Sequence, residues 1–453
     1  MPELPEVESI RRNLNKVVQH EKIKSVNVFY RPIVSNDLSF ETKVTGQTIE
    51  DILRKGKYLF FILNDYVMVS HLRMEGKYMM DHDLDPKHTH VLFQFESGHQ
   101  LQYHDTRKFG RFELINKSDF DINSYNDIAK EPFDITKDEL FDKLKNKTIS
   151  IKEAILDQRI VSGIGNIYAN EILYRSKIHP AKPAMMVTLD EVDLLIKQSK
   201  WVLDKAVRMG GTTIDTFESL GHKGEFQQEL RVHGKQGEIC PLCESVIQKV
   251  QHKGRGTYYC PGCQKSYVVA ITGGIATGKT TAVNYLKKKG FKVADSDQIV
   301  QSLYQDEVVK DWLKKTFDAK ASDGSVDRTK IAQIVFSNPR KKERLEAYLH
   351  PLVFEKIEAF KKHEFAYLKF LDIPLLFETR YKGFDKSLLI YASRKNQLKR
   401  LIDRNHFTID DAKKRIKAQM PISKKMRLAD AIIDNNGSIK DLYKKIDLYL
   451  EIF

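Results

Sequence analysis

The first residues of this 453-residue chain include a candidate nucleophile. The sequence opens Met1-Pro2-Glu3, and a further carboxylate follows at Glu6. Because an initiator methionine is normally removed before proline, we expect Pro2 to present a free secondary amine. An α-amino group titrates near ~8, about two units below a lysine, so much of it is neutral and nucleophilic at cellular pH. Pro2 beside Glu3 is therefore a candidate Schiff-base catalyst, and an inert, frayed terminus is the alternative.

All four cysteines lie in one short segment, as two Cys-x2-Cys pairs separated by 16 residues. They are Cys240, Cys243, Cys260 and Cys263. This spacing suits four thiolates around one tetrahedral Zn²⁺, which makes a closed structural site. Two disulfides or four free thiols are the alternatives, although a reducing cytosol disfavours disulfides. Residues 250–259 between the pairs predict a β-hairpin with a Gly-Arg-Gly tip, from which Arg255 could reach a phosphate or a flipped nucleotide.

A glycine-rich segment with phosphate-binding spacing follows a β-branched run at residues 267–272. It matches Gly-x4-Gly-Lys-Thr and precedes a helical pattern, which is the context that a phosphate-binding loop requires. Lys279 would reach the β- and γ-phosphate oxygens of ATP, and the Thr280 hydroxyl would bind Mg²⁺. The residues expected to contact ATP are Gly273, Gly274, Ile275, Ala276, Thr277, Gly278, Lys279, Thr280 and Thr281.

Three kinds of pattern indicate the elements that position these groups. Residues 20–115 alternate short apolar strands with polar turns, which predicts a β-sandwich or barrel. Helical periodicity takes over from about 125 to 210. Within it, Gly163 and Gly165 permit a tight double turn whose backbone N–H groups could hold a phosphate; a plain helix connection is the alternative. From residue 267 onward, apolar runs alternate with amphipathic helices, which is typical of a parallel sheet.

The length and hydropathy of the chain restrict the classes of protein to which it can belong. At 453 residues the chain exceeds what one hydrophobic core usually serves, so we expect several domains. No apolar run approaches the ~20 residues of a membrane span. The amino terminus is polar and acidic, unlike a secretory signal. We therefore expect a cytoplasmic protein that does not contact membranes.

The net charge of +14 is unevenly distributed along the chain. Residues 1–266 contain 38 basic and 37 acidic side chains, whereas residues 267–453 contain 37 and 24. DNA binding by the first part must therefore depend on local clustering of positive charge rather than on net charge. The basic surplus of the second part suits a phosphate-rich ligand.

Short motifs spread over residues 1–265 occur together in one known family. They are Pro2–Glu8, Gly56–Tyr58, His71–Gly76, Asp105–Gly110, Gly163–Tyr168, Ile178–Pro180, Gly210–Thr212 and the four-cysteine segment. In this order they resemble the formamidopyrimidine-DNA glycosylases over essentially their whole length. The resemblance implies an N-terminal β-sandwich, a helix-two-turn-helix domain and a zinc finger. It also implies base-excision repair of oxidised purines, such as 8-oxoguanine and formamidopyrimidines, in double-stranded DNA.

This resemblance implies catalytic roles for three residues. Pro2 would attack C1′ of the damaged nucleotide, expel the base and form an iminium, after which the 3′ and then the 5′ phosphate are eliminated. Glu3 matches the residue that handles sugar protonation and ring opening, a role that suits a carboxyl group beside the nucleophile. Lys57 matches a lysine at the lesion phosphate.

Further residues match those that bind DNA around an extruded nucleotide. Met74, Arg107 and Phe109 match the residues that fill the gap and face the orphaned cytosine. An apolar wedge beside a guanidinium suits that task, and core packing is the alternative for Met74 and Phe109. The phosphate-binding and lesion-reading positions are Asn166, Arg255 and the loop Phe217–Gly224.

Residues 267–453 resemble a second family through another ordered set of motifs. These are Thr272–Ala276, Val293–Asp297, Asp327-Arg328, Leu349–Pro351, Ile373–Glu378, Arg415–Pro421 and Ile433–Gly437. Together they resemble dephospho-CoA kinases, whose α/β P-loop fold has a parallel sheet. The resemblance implies transfer of the ATP γ-phosphate to the ribose 3′-hydroxyl of dephospho-CoA.

Three residues of this second part match functional positions of that family. Asp297 matches the presumed base, and Asp295 is its close competitor, either as base or as a group that organises Mg²⁺. A helix N-cap is the alternative role for either aspartate. Arg404 lies where the family has a lid arginine that would stabilise the transferred phosphoryl group.

We therefore expect a monomeric multidomain fusion of two enzymes. The expected parts are a catalytic β-sandwich (1–125), a helix-two-turn-helix domain (126–235), a zinc finger (236–265) and a P-loop kinase (266–453). Two alternatives remain open at this point. The kinase could be an inactive or artefactually fused passenger, since the junction has almost no linker. Conversely, the chain could be a kinase with a zinc-finger nucleic-acid sensor and an inactive glycosylase.

Overall fold

The computed structural model describes residues 2–212, 224–321, 325–405 and 407–453. The chain divides into two compact units, Met1–Lys265 and Ser266–Phe453. Residues 217–223 of the expected lesion-reading loop lie outside the described residues. Among the described helices, none has both the length and the apolar character that a membrane crossing requires.

The first unit contains helices α1 to α6 and strands β1 to β10. The helices span Leu4–Val18, Phe40–Val44, Lys137–Leu144, Ile151–Leu156, Asn166–Arg175 and Leu189–Arg208. The strands span Ile23–Val28, Asp51–Lys55, Tyr58–Ile62, Tyr66–His71, Lys77–Met80, Thr89–Phe95, Gln100–His104, Arg111–Asn116, Gln248–His252 and Arg255–Tyr259. Short 3₁₀ helices span Arg31–Val34, Lys117–Asp119, Tyr125–Asp127, Ala184–Met186 and Phe226–Glu229.

Two antiparallel four-stranded sheets share one core and form the predicted β-sandwich. Their strand orders are β1-β6-β7-β5 and β2-β3-β4-β8. Aromatic side chains join the two sheets in this core: the rings of Phe61 and Tyr78 are 5.7 Å apart and those of Phe93 and Phe112 are 6.3 Å apart. One side of α1, including Val7, packs into the same core. The sandwich thus fixes the helix that follows Pro2.

A second hydrophobic core lies among α3 to α6, the predicted helical region. Helices α3, α4 and α6 each begin at a capping box, in which Thr136, Ser150 or Thr188 accepts a backbone hydrogen bond from the glutamate three residues later. Leu4, the first residue of α1, is buried in this helical core rather than in the sandwich. The first turn of α1 is therefore anchored between two cores.

The four cysteines lie beside a two-stranded hairpin of β9 and β10, as the sequence predicts. Strand pairing extends from Arg255 opposite His252 to Tyr259 opposite Gln248. One detail differs from the sequence-based expectation: the turn is formed by Lys253 and Gly254, so Arg255 begins β10 and is not at the tip. Gly254 has φ +73°, which suits glycine in a tight turn.

The second unit is an α/β domain with a parallel sheet. Its helices α7 to α15 span Lys279–Lys288, Ser296–Leu303, Glu307–Phe317, Arg328–Ser337, Pro339–His363, Arg394–Asn405, Ile409–Lys417, Ile422–Leu428 and Ile439–Leu450. Its strands β11 to β15 span Tyr267–Gly273, Lys292–Asp295, Leu368–Asp372, Lys386–Tyr391 and Ala431–Asp434. The strand order β12-β13-β11-β14-β15 places β11 at the centre, so the glycine-rich loop begins in the middle of the sheet edge. The predicted multidomain fold class is confirmed.

Candidate active sites

The Glu3 carboxylate lies at the N-terminus of α5, far away in sequence. Its oxygens accept hydrogen bonds from the backbone N–H groups of Gly165 (2.7 Å) and Ile167 (2.8 Å). The positive end of a helix dipole and two donors thus hold one carboxylate. Within the Gly163–Gly165 turn, the Gly165 N–H donates to Glu3 and the Gly163 N–H donates to Gln158 Oε1, so these two groups are used inside the protein; phosphate binding by this turn stays a prediction.

Burial controls the ionisation of the groups beside Pro2. Pro2, Glu3 and Lys57 are all buried. Burial raises the pKa of Glu3 to about 7, an effect that the nearby Lys57 ammonium partly offsets. Burial likewise lowers the pKa of Lys57, whose ammonium donates a 2.9 Å hydrogen bond to the Ile164 carbonyl. The carboxyl group beside Pro2 can therefore gain or lose a proton near neutral pH.

Glu6 fixes the peptide that follows Pro2. Its Oε2 accepts the Glu3 backbone N–H at 2.9 Å. Its Oε1 accepts the Tyr168 hydroxyl at 2.6 Å and the Thr212 backbone N–H at 2.7 Å. A Cβ atom at Gly211 would lie 2.7 Å from Glu6 Oε1, so the glycine leaves room for this carboxylate. Glu6 therefore has a positioning role beside the site.

The finger hairpin reaches this region through its backbone. Gly256 O accepts hydrogen bonds from Asn166 Nδ2 (3.1 Å) and Lys152 Nζ (3.2 Å), and Thr257 Oγ1 accepts from Lys152 Nζ at 2.8 Å. Burial, and next the Arg255 charge, lower the pKa of Lys152 to about 7. Arg255 itself is exposed. Asn166 thus contacts the residue next to Arg255, and Lys152 is a basic group that sequence patterns did not reveal.

Met74, Arg107 and Phe109 are exposed, which argues against the core-packing alternative for Met74 and Phe109. The Arg107 guanidinium carbon lies 5.0 Å from the centre of the Phe109 ring. An apolar ring and a cation thus form one surface unit. Met74 lies in the segment between β4 and β5, and Glu75 of that segment accepts a hydrogen bond from the Thr106 hydroxyl.

Asp105 holds the segment that contains Arg107 and Phe109. Its buried carboxylate accepts the backbone N–H groups of Arg107 (3.0 Å), Phe109 (2.9 Å) and Gly110 (2.8 Å). A Cβ atom at Gly110 would lie 1.8 Å from the Tyr103 hydroxyl, so only glycine fits there. The segment is therefore a shaped protrusion rather than a loose loop.

The four cysteine sulfurs converge on one point. They lie within 4.8 Å of one another, and the cysteines are free thiols rather than disulfides. Cys240 and Cys260 are buried with Val232 and Ile247 in a small core, which positions two of the four sulfur ligands. Four converging thiol groups fit a tetrahedral structural Zn²⁺. The predicted zinc site is confirmed.

The second unit has a phosphate-binding loop between β11 and α7. Gly278 has φ +93°, and a Cβ atom there would lie 2.1 Å from Asn435 Nδ2. Asn435 Nδ2 donates a 2.7 Å hydrogen bond to the Thr277 carbonyl, which fixes the loop. Lys279 begins α7 and forms an ion pair with Asp372. Asp372 is the last residue of β13 and a carboxylate that the sequence analysis did not single out.

Three carboxylates lie at the same end of the parallel sheet. Asp295 and Asp372 are paired across β12 and β13. Burial raises the pKa of Asp372, and the charges of Asp295 and Asp297 act in the same direction. Asp295 Oδ1 accepts the backbone N–H groups of Asp297 and Gln298, both at 3.1 Å, so Asp295 is the N-cap of α8. The Asp297 side chain is exposed, and its carboxylate does not take part in the N-cap of α8.

A cavity of about 430 Å³ adjoins the phosphate-binding loop. Arg404 from α12 lines it together with Ala276, Gly278 and Thr281 of the loop region. Arg400, also on α12, donates a 2.7 Å hydrogen bond to the Asn435 carbonyl. The structure therefore brings the expected lid arginine and the expected ATP-binding loop to one cavity.

Four protein-family models match the chain in sequence order. They are the formamidopyrimidine-DNA glycosylase N-terminal domain (residues 1–112), the formamidopyrimidine-DNA glycosylase H2TH domain (128–218), the zinc finger found in FPG and IleRS (237–265) and dephospho-CoA kinase (267–441).

Individual relatives match the first unit. A formamidopyrimidine-DNA glycosylase of Bacillus anthracis is 43% identical over 274 residues, 58% of this chain and 99% of the relative. The enzyme of that name from Mycoplasmopsis pulmonis is 42% identical over 58% of this chain, with 98% of its own length covered. A solved structure of Lactococcus lactis Fpg with abasic-site DNA is 40% identical, with a TM-score of 0.56 and coverage of 58% of this chain and 100% of the other.

The fold, the buried carboxylate beside an amino-terminal proline and the phosphate-binding loop define a DNA glycosylase joined to a nucleotide-dependent kinase. The chain belongs to the formamidopyrimidine-DNA glycosylase family, and it continues into a dephospho-CoA kinase domain.

Proposed function

We propose that Pro2, Glu3 and Lys57 carry out the glycosylase and lyase reactions. After removal of Met1, the neutral Pro2 amine attacks C1′ of the damaged nucleotide and the base leaves with the bonding electron pair. The amine then loses its proton, and the C1′–O4′ bond breaks as O4′ is protonated, which leaves an iminium between Pro2 and C1′. Loss of the C2′ proton then expels the 3′ phosphate, and a second elimination expels the 5′ phosphate. The observation that supports this most is the Glu3 carboxyl group, which is buried beside Pro2 with a pKa raised to about 7.

Glu3 and Lys57 have complementary roles in this proposal. In its protonated form Glu3 donates a proton to the opening sugar ring, which is easiest when the pKa of the acid is near the working pH. The Lys57 ammonium, held by the Ile164 carbonyl, neutralises negative charge on the lesion phosphate. Arg255 and Asn166 form the adjoining polar surface for the DNA backbone, and the buried Lys152 ammonium holds the hairpin beneath them through Gly256 and Thr257.

Extraction of the nucleotide is assigned to the exposed protrusion. Met74 and Phe109 fill the space that the extruded nucleotide leaves, and the cost of unstacking is a few kcal/mol. Arg107 donates hydrogen bonds to the edge of the unpaired cytosine. The four-cysteine site binds Zn²⁺, which holds the hairpin of β9 and β10 in place for Arg255.

In the second unit, the residues of the phosphate-binding loop bind ATP and Asp297 accepts the proton of the dephospho-CoA 3′-hydroxyl. Lys279 and Arg404 stabilise negative charge on the transferred phosphoryl group. Mg²⁺ neutralises phosphate charge when bound, and the Thr280 hydroxyl with Asp295 and Asp372 would hold it. On ATP binding, the nucleotide phosphates would replace Asp372 as the partner of Lys279. The Asp372 carboxylate would then be available to Mg²⁺.

One sample can test both parts. Borohydride should trap a covalent adduct between the full-length chain and 8-oxoguanine duplex DNA, and the same sample should phosphorylate dephospho-CoA. Pro2→Gly should abolish only trapping, and Lys279→Ala only phosphorylation. Full nicking by Pro2→Gly or full kinase activity of Lys279→Ala would overturn the respective assignment.

The second candidate function is a glycosylase with a passenger kinase domain. The absence of a linker between Lys265 and the strand that begins at Tyr267 favours it. The mass of the native polypeptide, together with the kinase assay, decides between the two. We also propose a cytoplasmic monomer with the domain bounds 1–125, 126–235, 236–265 and 266–453; light scattering that gives the mass of two chains would contradict the monomer.

A further inference from the structure

A cluster of two histidines and one aspartate lies in the sandwich, apart from the residues assigned above. Asp85 and His88 precede β6, and His104 ends β7. Asp85 Oδ2 lies 2.8 Å from His88 Nδ1 and 3.4 Å from His104 Nε2. We call Asp85, His88 and His104 the Asp–His triad. One nitrogen or carboxylate oxygen from each of the three residues lies within 4.8 Å of the others.

The backbone sets this convergence. The Asp85 carbonyl accepts the backbone N–H groups of His88 (3.2 Å) and Thr89 (2.8 Å), and Asp85 Oδ1 accepts that of Lys87 (3.0 Å). This turn places Asp85 and His88 side by side. Sheet pairing of Thr89 with His104 then brings in the third residue. The three side chains meet because a turn and a strand register bring them together.

The polar atoms of His104 are poorly satisfied by the protein itself. The residue is 9% exposed, and its Nδ1 has no hydrogen-bond partner in the part of the chain that the structure describes. Its other nitrogen is 3.4 Å from Asp85 Oδ2, longer than an ordinary hydrogen bond. Burying an imidazole without a good partner is costly. A metal ion bound at His104 Nε2 would give that nitrogen a closer partner than the long contact with Asp85.

We propose that the Asp–His triad binds a divalent transition-metal ion of the zinc type. Imidazole nitrogens and a carboxylate oxygen are common zinc donors, with bonds of about 2.0–2.2 Å, so tetrahedral ligands lie roughly 3.4 Å apart. The 3.4 Å separation between Asp85 Oδ2 and His104 Nε2 matches that value, and the 2.8 Å hydrogen bond between Asp85 and His88 would lengthen by about 0.6 Å when the ion binds. Three protein donors leave the fourth position to water.

The bound ion would stiffen the protrusion that penetrates DNA. The His88 carbonyl accepts the backbone N–H of Asp105 at 3.0 Å, and Asp105 follows His104 directly. Asp105 in turn holds the segment of Arg107 and Phe109. The ion therefore fixes the base of that segment and adds positive charge to the face that meets the phosphate backbone.

Metal stoichiometry tests this proposal without reference to activity. Full-length protein is stripped with a chelator under reducing conditions, reloaded with Zn²⁺ and desalted, and its zinc is measured by mass spectrometry. The wild type should retain two equivalents, one in the four-cysteine site and one in the triad. Asp85→Asn, His88→Gln and His104→Gln should each retain one. His99→Gln, which changes an exposed histidine paired with Asp81 outside the triad, should retain two.

Cobalt gives a second readout that separates the two sites. Co²⁺ in the four-cysteine site shows thiolate-to-metal charge transfer, whereas Co²⁺ in the triad shows only ligand-field bands. The second equivalent of Co²⁺ should add ligand-field absorption that His104→Gln removes, while the thiolate band persists as proof of folding. One equivalent of either metal in the wild type, or two in His104→Gln, would overturn the proposal.

Discussion

Gly165 is in direct contact with the Glu3 carboxylate. The Gly165 N–H donates a 2.7 Å hydrogen bond to Glu3 Oε2, and a Cβ atom at position 165 would lie 2.2 Å from Glu3 Cδ. The backbone of Gly165 is not in the left-handed region, so its conformation does not itself require glycine. Glycine is required there because the carboxylate occupies the space of a side chain.

Gly165→Ala should therefore disable the glycosylase by displacing Glu3. The methyl group would push the carboxylate away from the N–H groups of α5, and loss of a positioned acid costs ~10²–10⁴-fold in rate. Borohydride trapping and single-turnover base release on 8-oxoguanine duplex DNA measure the effect. Gly46→Asn, at a turn glycine with φ +82° and open space around it, is the control and should keep the wild-type rate. Equal rates for Gly165→Ala and Gly46→Asn would refute the steric argument.

The rate of sugar-ring opening should depend on the protonation of Glu3. Its pKa is raised from the ordinary carboxyl value to about 7, so the acid form predominates below pH 7 and disappears above it. Single-turnover trapping should thus decline above pH 7 in the wild type, after correction for the Pro2 amine. Glu3→Gln should be slow at every pH and lack this decline. Persistence of the decline in Glu3→Gln would assign the ionisation to another group.

The ionisation of Glu3 should also change the free energy of unfolding of the first unit. The folded-state pKa of Glu3 is higher than that of the unfolded chain, so the folded state binds the proton more tightly. The Glu3 contribution to stability is thus fully present below pH 4.5 and is lost as the pH rises through 7. Urea unfolding of the first unit, followed within the full-length protein by the fluorescence of Trp201 after Trp312→Phe, should show this loss. Glu3→Gln should show a smaller decrease over that interval.

Local patterns predicted much of this fold, because they depend on neighbours in sequence. The helix Leu189–Arg208, the cysteine pairs and the glycine-rich loop were each recognisable from spacing alone. Lys152 and Asp372 were missed, since what distinguishes them is burial and contact with partners that are distant in the chain. The Gly163–Gly165 turn was recognisable, but the hydrogen bond from its Gly165 N–H to Glu3, 162 residues away, was not. Long-range pairing of this kind leaves no local signal.

Arg107→Ala should lose selectivity for the base opposite the lesion. A guanidinium that donates to a base edge contributes about 1–3 kcal/mol of discrimination. The ratio of excision rates opposite cytosine and opposite adenine should therefore fall by about 5- to 150-fold. Lys108→Gln changes the adjacent cation, which lies over the Tyr30 ring, and should preserve the ratio. An unchanged ratio in Arg107→Ala would show that another group reads the opposite base.

Removal of the finger metal should weaken DNA binding and spare the kinase. Cys263→Ala would leave three thiolates and release the hairpin that contains Arg255. Loss of one charged phosphate contact costs about 1.5–3 kcal/mol of binding free energy. Fluorescence anisotropy with an abasic-analogue duplex should show this loss, while the rate of dephospho-CoA phosphorylation stays unchanged in the same sample. Wild-type DNA affinity of the metal-free variant would contradict a structural role for zinc.

Replacement of Asp295 and of Asp297 by asparagine should have different effects on kcat and on the Mg²⁺ requirement of the kinase. Asp295 is the N-cap of α8, and asparagine caps a helix as well as aspartate does, so Asp295→Asn should keep the thermal stability. Asp297 has its carboxylate outside the cap, and loss of a base there should lower kcat by ~10²–10⁴-fold. Asp295→Asn should instead raise the Mg²⁺ requirement with a smaller loss in kcat, and thermal unfolding followed by circular dichroism verifies that both variants fold. A larger fall in kcat for Asp295→Asn than for Asp297→Asn would make Asp295 the base.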